Sequence, residues 1–201
     1  MAAAVNAVLR RLPAWPLYWA GAAVAVWLFW RAATGRLGPD PVRTLEHLYG
    51  EIALWLLVLG LAVTPLRRLT GLSLLRFRRA IGLLAFAFVC FHVTVWLVLD
   101  IQLDAAAAWE DVFERPHITV GMLGLVMLIP LALTSSDRAL RRMGPEAWRR
   151  LHMLVYPAAL AGVVHYLMLV KTWEATPILW LAAILLLLAL RLPWLRRAQR
   201  A

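Results

Sequence analysis

Two apolar runs of membrane-spanning length, residues 80–99 and 150–171, carry histidines inside them. A helix needs about twenty apolar residues to cross the hydrocarbon of a bilayer. Within such a helix an ionisable side chain is costly enough to require a partner or a task. The first run holds His92 and the second holds His152 and His165. Imidazoles that face one another from neighbouring membrane helices can clamp a haem iron, held here without covalent attachment.

The remaining sequence supports an integral membrane protein. Of 201 residues, 63% are hydrophobic, well above the apolar half of an ordinary soluble domain. Eleven tryptophans and four tyrosines suit the aromatic belts at membrane interfaces. The net charge of +10 comes from Lys and Arg in short loops between apolar runs. Anionic headgroups and topology account for that charge, and nucleic-acid binding does not. The single cysteine, Cys90, allows no intramolecular disulfide and no CxxC motif, and it reads as a small buried hydrophobe.

Six spans are predicted, at about residues 12–30, 45–64, 80–99, 117–134, 151–170 and 177–192. The first has a basic start like a signal peptide, but its apolar run is too long and no small-x-small cleavage site follows. No period of 20 to 50 residues repeats and no linker sets off a second domain, so residues 1–201 read as one all-α, six-helix membrane bundle. Arg10 and Arg11, the five arginines Arg67, Arg68, Arg76, Arg78 and Arg79, the run from Arg138 to Arg150, and the tail Arg196, Arg197 and Arg200 fall on one side. The third loop is acidic, with Asp100, Asp104, Glu110, Asp111 and Glu114 against Arg115. The positive-inside rule then places both termini in the cytoplasm.

With that topology the third and fifth spans run parallel. His92 lies roughly 18 Å and His165 roughly 21 Å from their cytoplasmic ends, so the two face each other at one depth. They are the expected axial pair. His152 lies roughly 20 Å below His165 and about 140° away on an ideal helix, an angle that Pro157 can change by kinking. It is left with two readings: a second haem, or a contact to a flavin, a quinone or a propionate. His117 and His47 read as interfacial residues at the outer boundary. Arg78, Arg79, Arg149 and Arg150 are positive-inside residues with a secondary reading as partners of haem propionates or a flavin phosphate. Met153 and Met168 read as packing, and Tyr156 and Tyr166 are placed to hydrogen-bond a cofactor. No GxGxxG, Walker loop, Ser-His-Asp set or soluble reductase domain is present, so electrons come from, or go to, another molecule.

The segments GPDPVRTLEHLYGE through AVTPLRR, RRAIGLLAFAFVCFHVTVW, ERPHITVGM, LALTSSDRALRRMG and WRRLHMLVYPAALAGVVHYLMLVK resemble the MsrQ (YedZ) family of the ferric-reductase-like transmembrane group, over about residues 35–192. The resemblance implies a multi-pass protein of the bacterial inner membrane with haem b and, as a second cofactor, FMN. It implies electron transfer from the respiratory quinone pool to a periplasmic molybdopterin-containing reductase subunit, MsrP, which repairs methionine sulfoxide in oxidised proteins. The family's functional histidines fall on His92, His152 and His165. Relatives in the wider group carry two histidines on each ligand helix, whereas this chain has only His92 on its third span. The expectation is therefore an electron-transfer subunit, fed by quinol or a cytoplasmic flavin donor, with the substrate-reducing site on its partner. A stand-alone ferric or quinone reductase is the alternative from the same chemistry, and a histidine-lined transporter or channel the alternative from another class.

Overall fold

Continuous apolar runs broken by prolines, glycines and arginines give helices and little else. The computed structural model describes residues 2–170 and 175–191. Its helices are α1 (Ala2–Arg11), α2 (Trp15–Ala33), α3 (Pro41–Thr70), α4 (Arg78–Val95), α5 (Ala105–Glu114), α6 (Pro116–Leu133), α7 (Asp137–Met143), α8 (Pro145–His152), α9 (Val155–Leu169) and α10 (Ala175–Ala189). A short 3-10 turn, Leu75–Phe77, leads into α4, and a π turn, Trp96–Asp100, follows it. Among the described residues there is no strand.

The boundaries follow local chemistry. α3 starts at Pro41, whose missing N–H is no loss in a first turn, with the Asp40 carboxylate accepting from Arg43 N at 3.1 Å. It ends at Gly71, whose φ of 76° is the left-handed geometry glycine adopts without strain. The predicted fifth span is two helices, α8 and α9, separated at Met153 and Leu154. That break stands four residues before Pro157, whose ring crowds the carbonyl of Met153 and offers it no N–H; that carbonyl accepts instead from Tyr156 N at 3.0 Å.

Four helical stretches are long and apolar enough to cross a membrane: Pro41–Thr70, Leu75–Asp100, Pro116–Leu133 and Pro145–Leu169. A fifth results if α1 and α2 act as one span, although they meet at 76°. The predicted first span corresponds to α2. α10 is apolar but has 15 described residues, about 22 Å of rise. Leu192, the predicted end of the sixth span, and the basic tail Arg196, Arg197 and Arg200 lie outside the described residues. Large side chains such as Trp19, Val26, Leu133 and Leu179 face outward rather than into a core. Only 17 to 39% of each spanning window is buried inside the bundle, as expected when lipid completes the packing.

α3 packs along α4, and α6 along α9; these are the most extensive helix pairs, with α10 closing against α9 and α3. Buried Phe88, Leu45 and Tyr49 join α2, α3 and α4, and the Tyr49 hydroxyl donates to Ala25 O at 2.7 Å. Pro65, inside α3, has no N–H to give to the carbonyl of Leu61. Arg191, only 6% exposed after α10, donates its guanidinium to that carbonyl and to the Tyr156 hydroxyl at 3.1 Å. A buried arginine thus repairs a bond that a proline removes. Arg191→Met should lower stability by about 1–3 kcal/mol, the penalty of an orphaned buried acceptor. The loss should shrink in a Pro65→Ala background, where the substituted residue supplies its own N–H. A thermal-unfolding double-mutant cycle checks this; additive losses would show that the two sites are not coupled.

Candidate functional site

His92 projects from α4 and His165 from α9, and the bundle brings their ring centroids to 6.0 Å with the planes 79° apart. Nitrogens each about 2 Å from a shared metal put imidazole centroids roughly 6–6.5 Å apart, so this spacing suits one ion between them. The expected pairing of these two histidines is therefore geometrically available.

Their other nitrogens are already committed. His92 Nδ1 lies 2.9 Å from Glu46 O, and His165 Nδ1 lies 2.6 Å from His117 O. A carbonyl only accepts, so each Nδ1 carries the proton and each Nε2 keeps its lone pair. This is how a ligating histidine is held to one tautomer and one orientation. Room for the rings comes from two glycines: Gly50 on α3 flanks His92, and Gly121 on α6 flanks His165.

The histidines line a cavity of about 550 Å³, within the usual range for a ligand or cofactor site. Its depth is apolar, with Leu54, Leu57, Val89, Leu125 and Leu128. Its mouth is polar, with Asp40, Arg43, Glu51, Asp100 and Arg115. It opens at the end of the bundle that carries the α2–α3 loop and α5. Among the described residues no three His, Cys, Asp or Glu side chains converge as a bare-metal site. Two opposed imidazoles over an apolar slot instead fit a planar macrocycle that supplies its own equatorial nitrogens, and the residues present fit haem.

Several parts of this cavity escaped the sequence reading. His117, read as interfacial, contributes its carbonyl to His165 and places its ring 6.0 Å from it. His47 also lines the cavity. A Glu46 carboxylate oxygen stands 4.0 Å from His92 Nε2, both side chains being about one-fifth exposed. Spacing such as Glu46-x3-Gly50 and His117-x3-Gly121 was visible, but its meaning depends on which helix lies opposite.

His152 does not line the cavity. It ends α8 and stacks on Trp148 with centroids 3.7 Å apart, and both its ring nitrogens are buried without a hydrogen-bond partner. Arg78, at the start of α4, is within electrostatic reach of His152 and of Arg191. Of the four arginines assigned to cofactor acids, Arg79 pairs with Asp137 and Arg150 with Glu146. Arg78 and Arg149 are exposed. The Arg79 guanidinium holds the exposed Asp137 carboxyl below its ordinary range. Tyr156 serves Arg191, Tyr166 lines the cavity, and Cys90 is a free, half-buried thiol.

The comparisons with known proteins agree with one another. The family described as ferric reductase like transmembrane component matches residues 49–163. The chain is 47% identical over 209 aligned residues to proteins of Brucella ovis, Brucella canis and Brucella suis, covering 100% of this chain and 94% of each relative. Each of those relatives is called a protein-methionine-sulfoxide reductase heme-binding subunit, MsrQ. No solved structure matches.

Proposed function

This chain belongs to the ferric reductase like transmembrane family and to its MsrQ branch, and from that premise we propose that it is a haem b electron-transfer subunit of a methionine sulfoxide reductase system. The observation that carries the reading is the His92–His165 pair, with both Nδ1–H groups bonded to carbonyls and both Nε2 atoms left as ligands. The proposed topology has six spans with both termini in the cytoplasm, residues 1–201 forming one domain of the bacterial inner membrane. The cavity then opens toward the periplasm.

Bound haem b supplies a one-electron couple, and the protein supplies everything around it. His92 and His165 would hold the group through their Nε2 atoms. Leu54, Leu57 and Leu128 keep the site dry, while Arg43 and Arg115 at the mouth suit the carboxylates of the macrocycle. Electrons arrive from the quinone pool or from a cytoplasmic flavin donor. They leave to a periplasmic, molybdopterin-containing, MsrP-like subunit that reduces methionine sulfoxide in oxidised proteins. The substrate-reducing site is on that partner.

His152 contacts a second cofactor at the inner end, where its unpartnered ring nitrogens, Trp148 and Arg78 come together. A second haem or FMN fits this role. Arg79, Arg149 and Arg150 are the further candidates for its acidic groups, Arg79 and Arg150 by exchanging their present carboxylate partners.

Absorption spectra of the detergent-purified protein, oxidised and dithionite-reduced, test the reading. A b-type spectrum should vanish in His92→Ala or His165→Ala and persist in part in His152→Ala. A wild type without haem would refute it. The partner should dock on the acidic face of α5. Asp104 caps that helix and Asp111 is paired with Arg115, which leaves the exposed Glu110 and Glu114 for the contact. Glu110→Gln with Glu114→Gln should slow association with the reductase subunit several-fold and weaken its salt dependence, with haem content unchanged. Loss of haem instead would make the loop structural.

A further inference from the structure

The two imidazoles of the cavity are held by the same three-part device on two different helix pairs. Between α3 and α4, His92 lies against Gly50 and bonds the carbonyl of Glu46, the residue four before that glycine. Between α6 and α9, His165 lies against Gly121 and bonds the carbonyl of His117, again four before the glycine. A carbonyl has two lone pairs, so each can serve its own helix and the facing ring together.

The glycines are the part with the least room for a side chain. A Cβ at Gly121 would stand 2.9 Å from His165 Nδ1, and one at Gly50 would stand 3.1 Å from His92 Nδ1. Comfortable contacts between such atoms are about 3.5–4.0 Å. The rings cannot retreat freely, because the atom that would be struck is the one that makes the hydrogen bond. Gly21 on α2 is also crowded, a Cβ there standing 2.5 Å from Leu84 Cδ2, but that atom is the free end of a flexible side chain and makes no hydrogen bond. Gly60, also on α3 and facing α4, would set its Cβ 3.7 Å from Ile81 Cγ2, an ordinary packing contact.

Orientation follows from this confinement. Each ring is pinned at Nδ1 and flanked by bare backbone, and the two planes stand 79° apart.

We propose that Gly50 and Gly121 are positioning residues whose missing side chains set the depth and the plane of His92 and His165 and keep the two axial imidazoles crossed. The inference rests on the haem reading above and deepens it. At a low-spin ferric iron, the angle between the two axial imidazole planes governs how far the d orbitals split. Crossed planes give a strongly anisotropic EPR signal dominated by one low-field feature. Parallel planes give a rhombic signal with three resolved features.

The test compares the detergent-purified, oxidised wild type with Gly50→Ala, Gly121→Ala and Gly60→Ala. EPR reports the ring planes, and transfer of haem to excess apomyoglobin reports how firmly it is held. The wild type should give the strongly anisotropic signal. Gly121→Ala should move it toward the rhombic or a high-spin form and speed haem release about tenfold or more, the scale of a lost orienting contact. Gly50→Ala should change both in the same direction by less, its clash being milder, and Gly60→Ala should match the wild type. Wild-type signals from Gly121→Ala, or an equal change in Gly60→Ala, overturn the proposal. If Gly121→Ala does not accumulate in the membrane, Gly50→Ala against Gly60→Ala decides by the same criteria. A haem-bearing wild type with a rhombic signal overturns the crossed planes alone. A wild type without haem overturns the haem reading, and this inference with it.

Discussion

A histidine inside a membrane helix has two ring nitrogens to satisfy and no water with which to do it. His92 and His165 each commit Nδ1–H to a backbone carbonyl on the helix alongside, at 2.9 and 2.6 Å. Much of the interior depends on that choice. It fixes the tautomer, so the free nitrogen is an acceptor and a potential ligand rather than a donor. It also sets the register of α4 on α3 and of α9 on α6, the two most extensive helix pairs of the bundle. The cavity is the space left between those two pairs. Glycines at the contact leave room for the rings, since a Cβ would stand 2.9 Å from His165 Nδ1 at Gly121 and 3.1 Å from His92 Nδ1 at Gly50.

The same need to satisfy buried polar groups shapes the opposite end. Pro65 leaves the carbonyl of Leu61 without its helical donor, and a guanidinium from the far end of the chain fills the gap. In water such a carbonyl would take a solvent molecule; in a bilayer it needs protein. Arg191 is therefore buried where arginine is otherwise expensive, and Tyr156 accepts part of its remaining hydrogen-bonding capacity. The connection joins α3, α9 and the end of α10 through polar bonds where apolar packing gives little specificity between helices.

How much of this could be read beforehand depends on whether the signal lay along one helix or between two. The runs around His92 and in α3 were legible because hydrocarbon thickness and a uniform rise per residue convert sequence directly into span and depth. That arithmetic is why His92 and His165 could be paired and His152 set apart. The break before α9 was likewise foreshadowed by Pro157, because proline acts on the carbonyl four residues back. The 76° turn between α1 and α2 was not legible in a charge-and-apolarity pattern. Nor were Gly50, Gly121, the carbonyls of Glu46 and His117, or the task of Arg191. Backbone acceptors have no residue-type signature, and a glycine notch acquires meaning only from the ring that enters it. Reading His117 as interfacial located the residue correctly on its helix but overlooked its main chain.

The asymmetry between the two ends bears on how a relay would cross the membrane. A carrier held by His92 and His165 sits toward one side, leaving a substantial part of a roughly 30 Å hydrocarbon layer still to be crossed. On the proposed topology that gap lies on the cytoplasmic side, where His152, at the end of α8, stands thirteen residues before His165 on α9. A chain that supplies a guanidinium to one orphaned carbonyl leaves both nitrogens of His152 buried and unpaired beside Trp148. Unpaired buried groups of this kind are costly unless something else binds them. On the proposed relay, need and opportunity would coincide at the inner end: a second redox group is called for there, and among the described residues both ring nitrogens of His152 are buried without a partner. With only one histidine on α4, a second matched pair between α4 and α9 is not available to that group, so in the proposed relay the outer site would be the rigid half and the inner site the half defined by its ligand.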